Sequence, residues 1–524
     1  MKSKKKSLFQ RSLDGIEWLG NKLPHPVTLF AILSVLVLVL SAALQPLGIE
    51  VEHPGEEGEM VTIHNLLNAE GLQYIFGSMT ENFVEFAPLG VVLVTMLGIG
   101  VAERSGLISA LLRGFVLSMP TKLITVALVF AGIMSSVASD AGYVVLPPLG
   151  ALLFAAMGRH PLAGLAAAFA GVSAGFSANF LLSGTDVLLG ELTIDAARAI
   201  DSSYADSMNI AMNWFFIAAS VILLTAVGTW VTERIVIPRL GIYTGKDAEE
   251  DAAGTEDEDA MKGLTPTEKK GVIWAAVWLI VGLILAGLTV LPPDAPLQGT
   301  EGSYQDRIVQ SPFMEDALVP IIAILFLIPG LVYGIVNRNI RNDKDVAAQM
   351  SDTMASMGMF IVLAFTAGQF VAFFEESNMG TVLGVYGAEL LESINLSGIP
   401  LIILFIIVAA FINLFIGSAS AKWAMMAPIF VPIMMQLGYS PELTQMAYRI
   451  ADSATNIITP LMTYFAVIIA FAQKYDKKMG IGTLISVMLP YSIYFLIFWT
   501  IMLVVWMLLG FPLGLHGPIE FTGS

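Results

Sequence analysis

The sequence predicts an all-α polytopic membrane protein with nine transmembrane helices and two re-entrant helical hairpins, arranged as an inverted-topology repeat. Three observations lead to this prediction: long apolar segments, a motif that occurs twice, and basic residues that collect in alternate loops. Of the 524 residues, 56% are hydrophobic and only 13% are charged. Because the charges lie mainly between apolar segments, the chain is expected to cross a bilayer many times.

Nine apolar segments are long enough to cross the hydrocarbon core as helices. Lysine and arginine then set the topology, because cytoplasmic loops collect positive charge. On this basis the N-terminus is predicted to be cytoplasmic and the C-terminus external. The predicted spans are 26–46, 83–101, 161–189, 209–235, 271–291, 318–336, 354–374, 444–473 and 483–510.

The internal repeat is visible in one motif. The stretch Gly132–Pro147 aligns without a gap with Asn413–Pro428, and in both copies Ala-Ser precedes a proline eight residues after the serine. The serines are Ser139 and Ser420. Charges place the two copies on opposite sides of the membrane, which is typical of secondary transporters built from inverted repeats.

Each copy of the motif lies in a segment predicted to be a hairpin. Segment 121–158 is expected to enter and leave from the cytoplasmic side, and segment 398–437 from outside. Two full crossings of 121–158 would give the same sidedness, so its charges leave that alternative open. Its polar turn favours the hairpin, because irregular backbone at membrane depth survives only against protein or water. Segment 105–117 before it is predicted to be an amphipathic helix at the inner interface.

The chain is therefore divided into two transmembrane halves and three flanking segments. These are a cytoplasmic N-terminal segment 1–25, a first half 26–240, an acidic cytoplasmic linker 241–270, a second half 271–512 and an external tail 513–524.

Composition excludes several function classes. The net charge of −17 comes largely from loops and argues against nucleic-acid binding. The absence of cysteine excludes disulfides and thiolate chemistry, and the five histidines have no zinc-site spacing. Phosphate-binding Gly-rich loops and hydrolase motifs do not occur in the sequence, so no enzymatic activity and no bound cofactor are predicted. Transport energy is expected to come from a gradient of Na⁺ or H⁺.

Polar breaks inside apolar runs follow both hairpins, at Gly175–Asn179 and at Asp452–Asn456. Asn179, Asn456 and Asn413 offer oxygen ligands there, and Asp452, Asn456 and Asn413 together are a candidate Na⁺ site. Asp186 closely follows the first break. A carboxylate at bilayer depth costs about 2.5 to 3.5 kcal/mol and therefore usually has a partner and a function. Asp186 and Asp452 are accordingly predicted to bind the coupling ion.

Simpler explanations exist for both aspartates. Asp186 could cap a helix at the outer mouth of its span. Asp452 could pair locally with Arg449, one helical turn earlier.

The second hairpin offers groups suited to an aromatic carboxylate. Trp423 could stack on an aromatic ring while Lys422 attracts a carboxylate, although an interfacial tryptophan with a snorkelling lysine explains the same pair. Pro460 follows the second break and would free a backbone carbonyl or form a hinge. The predicted substrate contacts are Trp423, Lys422, Ser420, Asn413, Pro460 and Ser139.

Four stretches resemble the p-aminobenzoyl-glutamate transporter (AbgT) family. They are Gly20–Phe30, Gly158–Ser173, Gly417–Ala424 and Tyr448–Pro460, and the likeness extends from about residue 14 to 512. The resemblance implies a homodimer in the lipid of the bacterial inner membrane, with nine spans and two hairpins per subunit. The family's important positions correspond to Asp186, Trp423, Asp452 and Pro460.

The resulting functional prediction is an ion-coupled secondary active transporter for the small molecule p-aminobenzoyl-glutamate or related aromatic carboxylates. It would work by alternating access. The alternative within transport is proton-driven efflux of sulfonamide antimetabolites, since direction depends on gradients and stoichiometry rather than on a motif. An ion channel is the alternative from another class. Channels usually build their filters from several symmetry-related chains, whereas this repeat lies within one chain.

Overall fold

A computed structural model describes residues 24–52, 60–138, 141–243, 263–300, 303–309, 311–393, 396–460, 462 and 464–522. Three predictions fall wholly or largely outside these residues. They concern Ser139, the N-terminal segment 1–25 and the linker 241–270.

Within the described residues the chain is mostly helical, with a single antiparallel strand pair in which Glu50 lies opposite Thr62. Three π-helical segments adjoin longer helices, at Ala170–Ala174, Thr232–Val236 and Phe313–Ala317. The other elements are α1 Pro26–Leu44, β1 Glu50–Glu52, β2 Met60–Thr62, α2 Ala69–Val84, α3 Ala87–Arg104, α4 Leu107–Leu117, α5 Ile124–Met134, α6 Ala141–Ala156, α7 Pro161–Phe169, α8 Gly184–Arg198, α9 Ser202–Ser207, α10 Trp214–Val231, α11 Ile237–Leu240, α12 Pro266–Leu288, α13 Tyr304–Val309, α14 Leu318–Val336, α15 Asp343–Ser356, α16 Gly358–Glu376, α17 Met379–Ser393, α18 Gly398–Asn413, α19 Ala419–Gln436, α20 Pro441–Asn456, α21 Phe465–Gln473 and α22 Ile481–Leu509.

In the described part of the chain, seven helices are long and apolar enough to cross a membrane, or up to nine if each of two bent helix pairs is one span. The fold is therefore that of a polytopic helical membrane protein. The seven are Pro26–Leu47, Ala69–Arg104, Trp214–Leu240, Pro266–Leu288, Leu318–Val336, Gly358–Glu376 and Ile481–Leu509.

Three longer segments that the sequence left as loops are helical. These are α2, α15 and α17. All three mix polar and apolar residues, so a search for uninterrupted apolar runs passes over them. Local signals were present: the side chain of Asn68 caps α2 by accepting the amide of Gly71 at 2.7 Å, and Asn342 caps α15 in the same way.

Packing follows the internal repeat. We call α5 with α6 hairpin 1, and α18 with α19 hairpin 2. In the first half, α4 packs on the second arm of hairpin 1, and both arms contact α7. In the second half, α17 packs on the second arm of hairpin 2, and both arms contact α20. The last helices of the halves, α10 and α22, pack against each other.

Both helices that follow the hairpins are interrupted. The first ends in the π-helical segment Ala170–Ala174, and helical structure resumes at α8. The second break lies later than predicted, because Asp452–Asn456 is the helical end of α20 and the irregular segment begins at residue 457. Pro460 explains the position: it lacks the amide hydrogen that would bond the carbonyl of Asn456 and continue the helix.

Small residues let helices approach at backbone distance. A Cβ added at Gly98 of α3 would lie 1.9 Å from the carbonyl oxygen of Ala323 in α14. On the facing helix, a Cβ at Gly330 would lie 2.7 Å from the Cα of Ala102. Close crossings of this kind provide the van der Waals contact that holds helices together in lipid.

We predict that Gly98→Ala lowers the thermal unfolding temperature of the detergent-solubilised protein, because overpacking costs about 1–3 kcal/mol. Gly90 provides a matched control in the same helix, since no atom beyond its own helix backbone lies within 4 Å of its added Cβ. Gly90→Ala is expected to leave the unfolding temperature unchanged or slightly raised. Equal melting of the two variants would contradict the close crossing.

Candidate functional site

Helix α20 forms the centre of the site and is buried over all of its 16 residues. Ser440 caps its first turn by accepting the amide of Leu443, and Pro441 fits the first helical position. Its charged and carboxamide side chains recur at alternating intervals of three and four residues, which places them on one face. They are Glu442, Gln445, Arg449, Asp452 and Asn456. A polar face on a fully buried helix requires partners from neighbouring elements.

Asp452 finds its partners on hairpin 2. The ammonium of Lys422 donates to Asp452 Oδ1 at 2.5 Å, and both side chains are at most 1% exposed. Lys422 also donates to Asn413 Oδ1. Asn413 in turn donates to the backbone carbonyl of Asp452 at 2.7 Å, to Thr455 Oγ1 at 2.7 Å and to Asn456 Oδ1 at 3.0 Å. This cluster joins both arms of hairpin 2 to the end of α20.

The cluster brings together three residues of the predicted Na⁺ site, Asp452, Asn456 and Asn413, but the Lys422 ammonium lies among their oxygens. A sodium ion bound at Asp452 Oδ1 would have to displace it. Within the described residues, no group of three or more His, Cys, Asp or Glu side chains could hold a metal ion.

Asp186 pairs with Arg449, whose Nη2 lies 2.6 Å from Asp186 Oδ1. Both side chains are at most 2% exposed. Asp186 also belongs to a capping box at the start of α8, where its Oδ2 accepts the amide and hydroxyl of Ser183, both at 2.7 Å. Asp186 therefore both contributes to a helix cap and forms a buried ion pair. Arg449, considered above as a local partner of Asp452, instead links α20 to α8.

Trp423 is completely buried. Its ring stacks on Tyr448 with 4.5 Å between centroids, and its indole nitrogen donates to Thr193 Oγ1 at 3.0 Å. In this conformation the whole ring is covered by protein and Tyr448 of α20 lies against one face, so stacking of a substrate on that face would require hairpin 2 and α20 to separate. A substrate contact at Trp423 stays a prediction.

The first break differs from the second in hydrogen bonding. Asn179 is fully buried, and neither its amide oxygen nor its amide nitrogen has a hydrogen-bond partner. Ser177 Oγ also lacks one, while the Ser177 amide donates to Ser453 Oγ at 3.1 Å and so connects the first break to the helical end of α20. In the repeat alignment, the positions of Asn413 and Lys422 correspond to Gly132 and Ala141. The first half therefore lacks the amide and the amine that satisfy the second break.

The remaining predicted contacts lie around the second break. Ser420 is half-buried at the start of α19, with its hydroxyl 3.2 Å from that of Ser418. Pro460 lies within the break and is partly buried.

Several polar partners were missed at the sequence level. Gln445 donates to Thr193 Oγ1 at 2.7 Å and accepts from Asn213 at 2.6 Å. Tyr204 donates to Glu442 Oε2 at 3.0 Å. The three-and-four spacing of polar residues along 442–456 was a readable signal, but the predicted span began at residue 444 and left Glu442 outside it.

Two interrupted helices in related halves, joined by the buried ion pair of Asp186 with Arg449, are an arrangement typical of transporters. The chain belongs to the p-aminobenzoyl-glutamate transporter family: the family model described as "AbgT putative transporter family" matches residues 11–521. It is thus a multi-pass membrane protein of a bacterial transporter family.

Named relatives agree over almost the full length. The p-aminobenzoyl-glutamate transport protein of Escherichia coli (strain K12) is 38% identical over 499 residues, which cover 95% of each chain. The crystal structure of the YdaH transporter of Alcanivorax borkumensis has a TM-score of 0.86 and 44% identity, covering 94% of this chain and 100% of that chain. MtrF of Neisseria gonorrhoeae, described within a class of antimetabolite efflux pumps, has a TM-score of 0.90 and 46% identity, covering 98% and 100%.

We predict that Lys422→Met destabilises the protein by about 3–5 kcal/mol, because it leaves a buried aspartate without its cation. The double variant Lys422→Met with Asp452→Asn removes both charges and is expected to recover most of that loss. Thermal unfolding in detergent measures both effects.

Arg307→Gln is the matched control, because its pair with the exposed Asp294 is 3.8 Å long and contributes about 1 kcal/mol or less. A Lys422→Met variant as stable as this control would show that the buried pair contributes nothing.

Proposed function

We propose that this protein is an ion-coupled secondary active transporter of p-aminobenzoyl-glutamate or related aromatic carboxylates, working by alternating access. The observation that carries the proposal is the Lys422–Asn413–Asp452 cluster between hairpin 2 and the break of α20. It holds a buried amine that can exchange one carboxylate partner for another. The name of the Escherichia coli relative supports the substrate.

The proposed topology has nine spans and two re-entrant hairpins. In this arrangement α7 with α8, and α20 with α21, each form one broken span, while α4 and α17 lie at opposite interfaces. The matching packing of the two halves supports this arrangement. The protein is proposed to be a homodimer of the bacterial inner membrane with a cytoplasmic N-terminus.

Substrate binding is proposed to begin with the Lys422 amine. A substrate carboxylate that draws the amine away leaves Asp452 without a counter-charge, so a cation must arrive with the substrate. This exchange ties substrate binding to ion binding. The substrate ring would then lie near Trp423, Ser420 and Pro460 once hairpin 2 moves.

The proton is the proposed coupling ion. An amine already balances the Asp452 carboxylate, and a proton can replace that amine without needing a larger cavity. Sodium is the alternative, bound at the first break, where the buried Asn179 amide and the Ser177 hydroxyl have no partners.

Efflux of antimetabolites is the second candidate function. The description of MtrF supports it, and the same cluster serves export if the coupling stoichiometry reverses the net flux.

We predict that the purified protein in liposomes accumulates radiolabelled p-aminobenzoyl-glutamate when a proton gradient is imposed. Asp452→Asn should abolish this accumulation, because the exchangeable acidic partner of Lys422 is gone. Asp294→Asn, which alters an aspartate in an exposed ion pair, should transport as the wild type does.

Separate sodium and proton gradients identify the coupling ion. Wild-type protein that moves a sulfonamide but no p-aminobenzoyl-glutamate would favour the efflux function. Normal accumulation by Asp452→Asn under both gradients would refute the proposed role of the cluster.

A further inference from the structure

Glu442 is a buried carboxyl group without a counter-ion. It lies in the first turn of α20 with 0% exposure. Its Oε2 accepts the hydroxyl of Tyr204 at 3.0 Å, and its Oε1 has no hydrogen-bond partner. Among the described residues, no lysine, arginine or histidine nitrogen lies within 4.0 Å of this carboxyl group.

The described elements around Glu442 place no positive charge against its carboxyl group. Helix α9 carries Tyr204 and Asp206, and Asp201 caps it. Arg198, at the end of α8, is paired with Asp206 at 2.9 Å. Helix α22 and the first arm of hairpin 2 contain no charged residue. The C-terminal segment that covers this end of α20 contributes His516 and Glu520.

The other two buried acids that α20 carries or contacts are compensated. Asp452 has the Lys422 ammonium, and Asp186 has the Arg449 guanidinium. While these ion pairs are intact, neither aspartate can take up a proton without leaving a buried cation unpaired. Glu442 can gain or lose a proton without breaking any ion pair.

Whether Glu442 is charged in this conformation depends on two free energies, the stabilisation of an anion by the helix N-terminus and the cost of burying an unpaired ion. A helix N-terminus stabilises an anion by about 0.3–1 kcal/mol, and at most about 2 kcal/mol. Burying an unpaired ion costs several kcal/mol. The burial cost is larger, so the group is held as the neutral acid.

The C-terminal segment closes the site. Ser440 donates its hydroxyl to the carbonyl of Pro518 at 2.6 Å and its amide to that of Ile519 at 3.1 Å. The ring of Phe521 packs edge-on against Tyr204, with 5.0 Å between centroids. A proton on Glu442 is therefore sealed from water until α20 moves relative to α9 and this segment.

We propose that Glu442, with Tyr204, is a proton-binding site that holds the coupling proton while Asp452 is paired with Lys422. The inference rests on the proposed transport function and adds a residue to it. Glu442 and Asp452 lie on the same face of α20, about 15 Å apart along its axis. A shift of this one helix alters the access of water to Glu442 and the partners of Asp452 together.

The test uses proteoliposomes containing a pH-sensitive dye and radiolabelled p-aminobenzoyl-glutamate. Glu442→Gln mimics the neutral acid in shape and can still accept the Tyr204 hydrogen bond. This variant should keep substrate exchange without a gradient, but should lose both the stimulation by a pH gradient and the substrate-dependent proton movement. Glu392→Gln, at an exposed glutamate of α17, is the matched control and should keep all three.

A Glu442→Gln variant that still accumulates substrate under a pH gradient would overturn the inference while leaving the transport function intact. Wild-type protein that transports substrate without moving protons would also overturn the inference and leave the transport function intact. Wild-type protein that moves neither substrate nor sulfonamide would instead refute the proposed function itself.

A second measurement does not depend on the folding of a variant. Dicyclohexylcarbodiimide modifies protonated carboxyl groups in apolar surroundings. Peptide mass spectrometry of the labelled wild type should find Glu442 modified and the ion-paired Asp186 and Asp452 unmodified. Labelling of the two aspartates with Glu442 untouched would place the proton elsewhere and overturn the proposal.

Discussion

The structure depends on the compensation of buried charge along α20. In a medium of low dielectric constant, the desolvation free energy of an unpaired ion exceeds the stabilisation that most packing interactions provide. Asp452 is tolerated because Lys422 and Asn413 reach it from the two arms of hairpin 2, and Arg449 is tolerated because Asp186 reaches it from the first half. Each ion pair joins two different structural elements, so any movement between these elements requires an exchange of partners. That requirement makes the cluster suitable for coupled transport.

The two halves share an architecture but differ in the hydrogen-bond partners of the polar groups at their breaks. Both contain a helix that packs on a hairpin and a broken helix against both hairpin arms. In the second half, an amine and an amide fill the space at the break. In the first half, Gly132 and Ala141 replace them, and Asn179 is left without partners. The two breaks of the repeat therefore differ: polar groups at the second break are hydrogen-bonded to Lys422 and Asn413, whereas the Asn179 amide at the first break has no partner.

The sequence predicted the helical membrane class and α14 with its observed bounds, because these depend on apolar length. It did not predict α2, α15 or α17, whose mixed composition gives no long apolar run. Asp186 and Asp452 could be selected from the cost of a buried charge, but their partners could not. Whether Arg449 pairs with Asp452 on its own helix or with Asp186 on another depends on how α8 packs against α20, and local spacing contains no information about that packing. The later position of the second break could have been inferred from Pro460, because the missing amide lies one turn after Asn456.

Alternating access at hairpin 2 can be measured directly because the chain has no cysteine, so that Ser420→Cys introduces a single thiol. Its labelling rate with a membrane-impermeant maleimide would be followed in right-side-out and inside-out vesicles, with and without substrate. The account predicts that substrate under an ion gradient raises the rate from one side and lowers it from the other. Rates that rise or fall together on both sides would indicate a continuous pore and contradict the account.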